Sequence, residues 1–452
     1  MERLTRRGTL ALGAHALGAG ALGAGVLGGL VLPASARAAI PVADVKPPSQ
    51  PIEKDATLRV LRPSKFVGPD ETIFRENTKA FTDATGVPVR VDFVGWEDLR
   101  PQTAVTANTG AGPDVVLGWP SDPHLFADKL VDMSELAGYL GKKYGGWYYL
   151  ADKYGKRWGT DQWIALPMGG TSGPAVYRIS WVKEAGYDKI PNDLDGFLDL
   201  CRKLKKNGHP AGFALGNAVG DANGYASWLL WAHNSFLTDE KGVVAINRKE
   251  TIEALKYAKA LQETFISGTL SWQDPSNNKA FVAEDIALTQ NGVSIYYALK
   301  NDPKTEKIAA DTDHALMPFG HAGKTPASCL IINAMVFKHT KYPNAAKEYL
   351  RFMMEEAQYD KWLTGCLGYW AQPLKAYAQS AVWTSDPKIA VFRDGCGNEF
   401  WDGYKGPINA AAGAVTANYV LVHMFAAVAA GQAEPEDAVK EAERQAKRYY
   451  KT

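Results

Sequence analysis

The chain has 452 residues, 46% hydrophobic and 22% charged, a globular composition too long for one compact core and sized for about two domains. Fifty Lys and Arg stand against 49 Asp and Glu, so no global field favours nucleic acid or an anionic membrane. Any ligand must be recognised by a local site.

Residues 1–38 read as a targeting segment. Arg3, Arg6 and Arg7 give a positive start, residues 8–32 are uncharged and rich in Ala, Gly and Leu, and Ala36-Arg37-Ala38 offers a small-residue cleavage site, expected near Ala38. The order Thr5-Arg6-Arg7-Gly8-Thr9-Leu10 resembles a twin-arginine signal, with an ordinary secretory signal as the alternative. No Cys stands at the cleavage point, which disfavours a lipoprotein. The expected product is a soluble, periplasmic protein of formal charge −2, since the segment carries away four Arg and one Glu from a chain of charge +1. Prolines 41, 47, 48 and 51 then keep residues 39–56 as an extended tail.

From residue 57 strand and helix patterns alternate. Leu58 to Leu61 alternate as a short strand, residues 71–84 carry Ile73, Phe74, Ala80 and Phe81 at helical spacing, and Gly86 stops them. Val87 to Phe93 alternate with period two, residues 97–108 read as a helix, and Val115-Val116-Leu117 is a buried strand. This βαβαβ order predicts a parallel sheet, whose ligands bind beyond the carboxyl ends of the strands. A breaker-rich stretch, Gly169-Gly170-Thr171-Ser172-Gly173-Pro174, leads into a new strand at Ala175-Val176-Tyr177. Further strands and helices follow, including an amphipathic helix over 250–265. A second crossing falls between residues 315 and 337, and a charged final helix covers 434–450. Two α/β lobes joined by more than one crossover account for this order, with a cleft between them.

Four cysteines, Cys201, Cys329, Cys366 and Cys396, permit three full pairings in an oxidising compartment. Cys366 and Cys396 both lie in Gly-rich, loop-like sequence and form the first candidate disulfide, with free buried thiols as the alternative. There is no metal-ligand spacing, and no cofactor is expected.

Five segments together carry a family resemblance. Gly110-Ala111-Gly112-Pro113-Asp114-Val115-Val116, Leu166-Pro167-Met168-Gly169-Gly170 and Ala287-Leu288-Thr289-Gln290-Asn291-Gly292 are the first three. Helix 343–352 and the turn and helix from Ala430 to Val439 complete the set. In this order they resemble the carbohydrate-binding receptors of ABC importers (extracellular solute-binding family 1, the maltose-binding-protein group). Residues 126–163 and 369–401 fit the pattern less well. The resemblance implies a two-lobed periplasmic-binding-protein fold, with parallel-sheet lobes, a hinge and a ligand cleft. Residues 57–166 and 318–375 would form the N-terminal lobe, and 167–317 and 376–452 the C-terminal lobe. It also implies a monomer that docks on a cognate ABC permease in the inner membrane.

Sugars are held by stacking on aromatic rings and by hydrogen bonds to carboxylates and amides. Trp96, Glu97, Trp119, Ser121 and Asp122 follow predicted strands and are candidates on that ground. Their structural alternatives are packing for the rings and helix capping for the acids. Thr171 sits at the crossing, Trp228 and Trp231 on a predicted helix, Asn291 and Tyr296 beside a cleft-entering strand, and Tyr369 and Trp370 where the family returns to the cleft. A sugar or polyol is the expected ligand, with a glycerophosphodiester or polyamine as the alternative. No Gly-x-Ser-x-Gly or His-Glu-x-x-His pattern occurs, so the chain is not expected to be an enzyme, an exported hydrolase being the remaining rival.

Overall fold

The computed structural model describes residues 39–451. The targeting segment and its cleavage site lie outside them. Eight strands among the described residues form two sheets. The first sheet contains β1 (Leu58–Pro63), β2 (Val89–Val94), β3 (Val115–Gly118), β4 (Leu166–Thr171) and β8 (Leu330–Val336), in the order β2-β1-β3-β8-β4. The second contains β5 (Ala175–Arg178), β6 (Leu288–Gln290) and β7 (Thr312–Ala315), in the order β6-β5-β7.

The predicted βαβαβ unit is present: β1 pairs in parallel with β2 and β3, and helices Gly68–Thr85 and Trp96–Thr109 connect them. The first helix stops where expected. Gly86 takes φ 76°, a left-handed conformation that glycine adopts without a side-chain penalty. Its N–H closes on Thr82 O at 2.8 Å.

The two-lobed α/β fold stands, but the expectation of parallel sheets in both lobes does not. β8 and β4 pair antiparallel in the first sheet, and all pairing in the second sheet is antiparallel. The cause is topological. β5 leads the chain away from the crossing, and both of its neighbours run back towards it: Ala175 lies opposite Gln290 and Ala315, at the ends of β6 and β7.

Two large apolar cores are present, the first centred on the larger sheet and reaching Val176 of the smaller one and Phe281 beside it. The first includes Val60, Phe74, Val116, Leu350 and Trp362; the second includes Phe197, Trp228, Leu229, Leu261 and Phe425. A small third cluster, with Tyr154, Cys329, Ile331 and Cys396, packs behind β4 and β8. Residues 172–174 link β4 to β5, and residues 316–329 link β7 to β8. Residues 375–397 form a run of short helical turns whose Tyr377, Trp383 and Phe392 pack into the first core.

Beneath the first lobe's surface lies a buried ion pair. Arg62 Nη2 donates to Asp70 at 2.6 Å, and Trp362 Nε1 donates to the other Asp70 oxygen at 2.8 Å. The guanidinium lies 4.4 Å from the centre of the Phe74 ring. This cluster holds helix Gly68–Thr85 against helix Glu356–Gly365, and the latter leads directly to Tyr369 and Trp370.

Candidate functional site

The chain runs between the two sheets at 172–174 and 316–329, and a cleft opens there. Its space unfilled by protein atoms, open mouth included, is about 660 Å³. One wall is aromatic. Phe66 follows β1 and Trp96 follows β2, so both sit past the carboxyl ends of parallel strands. Their rings meet edge to face at 4.6 Å, and Tyr369 completes the wall. Trp96 is held from behind: Nε1 donates to Ser64 O at 3.0 Å, and the ring packs on Trp119 at 4.7 Å and Trp370 at 6.2 Å.

The facing wall is acidic and comes from the second lobe. Asp221 opens helix Asp221–Ala232, and Asp274 opens helix Asp274–Val282. Asp274 caps the other helix: its carboxylate accepts the N–H groups of Val219 at 2.9 Å, Gly220 at 3.0 Å and Asp221 at 2.8 Å. A helix N-terminus favours such an anion. Burial nonetheless dominates, pushing the Asp274 carboxyl up to about 6, with Glu97 adding repulsion against those backbone donors. Asp221 is raised well above the usual carboxyl range, first by burial and then by Asp274. One Asp221 oxygen has no hydrogen-bond partner.

Amides close the floor. Asn291 Nδ2 donates to Asn278 Oδ1 at 2.6 Å, and Asn278 Nδ2 donates to Ser294 at 2.9 Å. Gln290 donates to Gly173 O at 2.8 Å, while its Oε1 is left without a donor. Thr171 lies at the crossing, packed so closely on Gly292 that a Cβ there would collide with its hydroxyl. Glu97 lines the outer extension of the cleft with Lys65 and Lys279, and Glu97 Oε1 also lacks a partner.

Of the sequence-derived candidates, Trp96, Thr171, Asn291 and Tyr369 therefore line the cleft, and Glu97 borders it. The others lie elsewhere. Trp119 is 0% exposed and supports Trp96 from below, because the chain turns inward after β3. Asp122 is consumed locally: it accepts Trp119 N–H at 2.9 Å and Arg100 Nε at 2.6 Å. Ser121 is buried beside the Asp402 carboxyl. Trp228 donates to Pro318 O at 3.0 Å inside the second core, and Trp231 packs on Phe400 at 5.1 Å. Tyr296 donates to Asp386 at 2.6 Å, and Trp370 is buried behind Trp96. The candidate disulfide also changes: Cys366 packs in the first core, whereas Cys396 Sγ lies 3.6 Å from Cys329 Sγ.

Phe66, Asp221, Asp274 and Gln290 were missed. The rule that selected Trp96, an aromatic just past a parallel strand, selects Phe66 as well. Asp221 and Asp274 carry only the signal of acids opening helices, which is shared by most helix starts.

A family model described as bacterial extracellular solute-binding protein matches residues 76–391. No curated protein matches the chain. Solved structures share its fold. The GacH receptor of Streptomyces glaucescens, described unliganded and with acarbose, aligns with TM-score 0.72 at 16% identity, covering 88% of this chain and 99% of that one. A solute-binding protein from Thermotoga lettingae bound with α-D-tagatose gives 0.73 at 18%, covering 87% and 99%. One from Agrobacterium vitis with bound D-mannitol gives 0.71 at 18%, covering 88% and 98%.

Proposed function

The chain belongs to the bacterial extracellular solute-binding proteins, and from that premise we propose that it is the receptor component of an ABC importer for a sugar or polyol. The observation that carries this reading is the cleft itself: a Trp96–Phe66–Tyr369 wall opposed by Asp221, Asp274 and an amide floor. An aromatic face matches the C–H face of a sugar ring, and carboxylates and amides accept from its hydroxyls. Residues 1–38 direct export and are removed near Ala38, so the mature receptor acts in the periplasm.

The two lobes supply opposite walls, so a ligand touching both stabilises the closed form over the open one. Closure then presents a shape that a membrane permease recognises, and the receptor acts as a monomer that binds and releases without chemistry. The hinge consists of the links at 172–174 and 316–329 and of the return between Phe392 and Phe400, where the chain passes from the first core to the second.

The test is a thermal-shift screen of residues 39–452 against saccharides and polyols. A ligand that binds only the folded state raises the melting temperature in a concentration-dependent way. A shift with one saccharide or polyol, lost in Trp96→Ala, supports the proposal. Turnover of a chromogenic glycoside without any such shift would overturn it.

A further inference from the structure

The cleft holds more acceptors than its own donors satisfy. One Asp221 oxygen, Gln290 Oε1 and, at the outer edge, Glu97 Oε1 are all buried without a hydrogen-bond partner. Gln290 is only 9% exposed and lines the inner cleft, so water reaches it poorly. A buried acceptor without a donor carries a desolvation penalty that a ligand's donor can relieve.

The charge balance points the same way. Among the described residues lining the inner cleft there are two carboxylates, Asp221 and Asp274, and no Lys, Arg or His. Lys65 and Lys279 stand only on the outer extension, where Lys65 is 3.9 Å from Glu71. The three backbone donors on Asp274 serve that carboxylate alone and leave Asp221 with the Asn277 side chain as its compensation and one oxygen unpartnered. Burial and Asp274 hold Asp221 towards its protonated form, and a neutral sugar supplies hydroxyl donors but no charge that would release that proton. Nor do these acids gather as a metal site: among the described residues no three His, Cys, Asp or Glu side chains could hold a metal ion. An ammonium group supplies three donors and a positive charge on one atom. Trp96 lines the same cleft, and a cation that meets its ring face gains a second attraction.

We infer that the ligand is a hydroxylated frame bearing a protonated amine, an amino sugar or amino polyol, whose ammonium group sits at Asp221 beside Asp274 while its frame lies on Trp96. The inference rests on the sugar or polyol reading and narrows it. Gln290 Oε1 accepts from a neighbouring hydroxyl or from the same amine.

The experiment is calorimetric titration of residues 39–452 with matched pairs: glucose against glucosamine, sorbitol against 1-amino-1-deoxysorbitol, and N-acetylglucosamine as a neutral control. A charge-assisted contact should favour the amine member by about ten- to hundredfold. Asp221→Asn should remove that preference while circular dichroism shows an intact fold. As a check independent of the variant, the wild-type preference should shrink as salt is raised. Equal or tighter binding of the neutral members overturns the inference and leaves the sugar reading standing. Binding of spermidine with no hydroxylated compound overturns both, as does binding of no member of either set.

Discussion

The Arg62–Asp70 pair supports the aromatic wall from within, and its removal has a calculable outcome. Both side chains are essentially excluded from solvent, at 0% and 1% exposure, and the contact is 2.6 Å. Changing Asp70 to Ala strands a buried guanidinium, whose Nε and Nη1 already lack partners, and also frees the Trp362 indole N–H. Breaking one side of a buried pair costs about 3–5 kcal/mol. The faces of Phe74, Phe93 and Trp362 lie 4.4, 5.3 and 5.7 Å from the guanidinium, which softens but does not replace the carboxylate. The double change Arg62→Met, Asp70→Leu removes both charges and fills similar volume, and should fall within about 1 kcal/mol of wild type or exceed it. Urea unfolding followed by tryptophan fluorescence and circular dichroism measures all three proteins. If Asp70→Ala costs less than about 1 kcal/mol, or if the double variant is as unstable as the single, the argument from an unpaired buried charge is refuted.

Further outcomes follow from other parts of the structure. Trp96→Ala removes the platform and should weaken a saccharide or polyol ligand at least about tenfold by calorimetry, while Trp96→Phe retains part of the affinity. Oxidation of the unfolded and refolded chain with oxidised glutathione should cross-link Cys329 to Cys396 and leave Cys201 and Cys366 as thiols, read by peptide mapping without reductant; a Cys366–Cys396 peptide would contradict the packing. Burial raises the Asp221 carboxyl above its ordinary 3.8, so the folded state holds a proton that the unfolded state releases. Stability from this group is therefore present at low pH and declines as pH rises above about 4, and Asp221→Asn should gain melting temperature relative to wild type between pH 4 and pH 7. A gap independent of pH would mean that Asp221 is not desolvated.

The first lobe was readable because its signals are local. Alternating residues in β1 and β2, the apolar run in β3 and the stop at Gly86 each act within a few positions, and they set a parallel order by handedness. The second sheet was not readable in the same way. β6 has three residues and β7 four, too few for alternation to mark their partners, and their direction depends on chain crossings far apart in sequence. The cleft shows the same division. Strand-end position identifies Trp96, but it cannot tell a ring that faces the cleft from one that packs beneath it, and Trp119 is the second kind. Asp274 does cap a helix, as an acid at a helix start usually does, yet the helix it caps begins 53 residues earlier. The cysteines fail for a similar reason. Loop-like sequence suggests freedom to pair, whereas the actual neighbour of Cys396 is fixed by Gly170, whose missing side chain leaves room for both sulfurs.

The central claim is that ligand is gripped between the aromatic wall of one lobe and the acidic wall of the other. Hydrogen-exchange mass spectrometry, with and without the tightest ligand from the screen, tests it most directly. The expected result is slowed exchange around residues 95–97 and 367–370 of the first wall, 219–224 and 274–278 of the second, and the link at 171–174. Protection confined to one lobe, or centred away from these segments, would contradict the account.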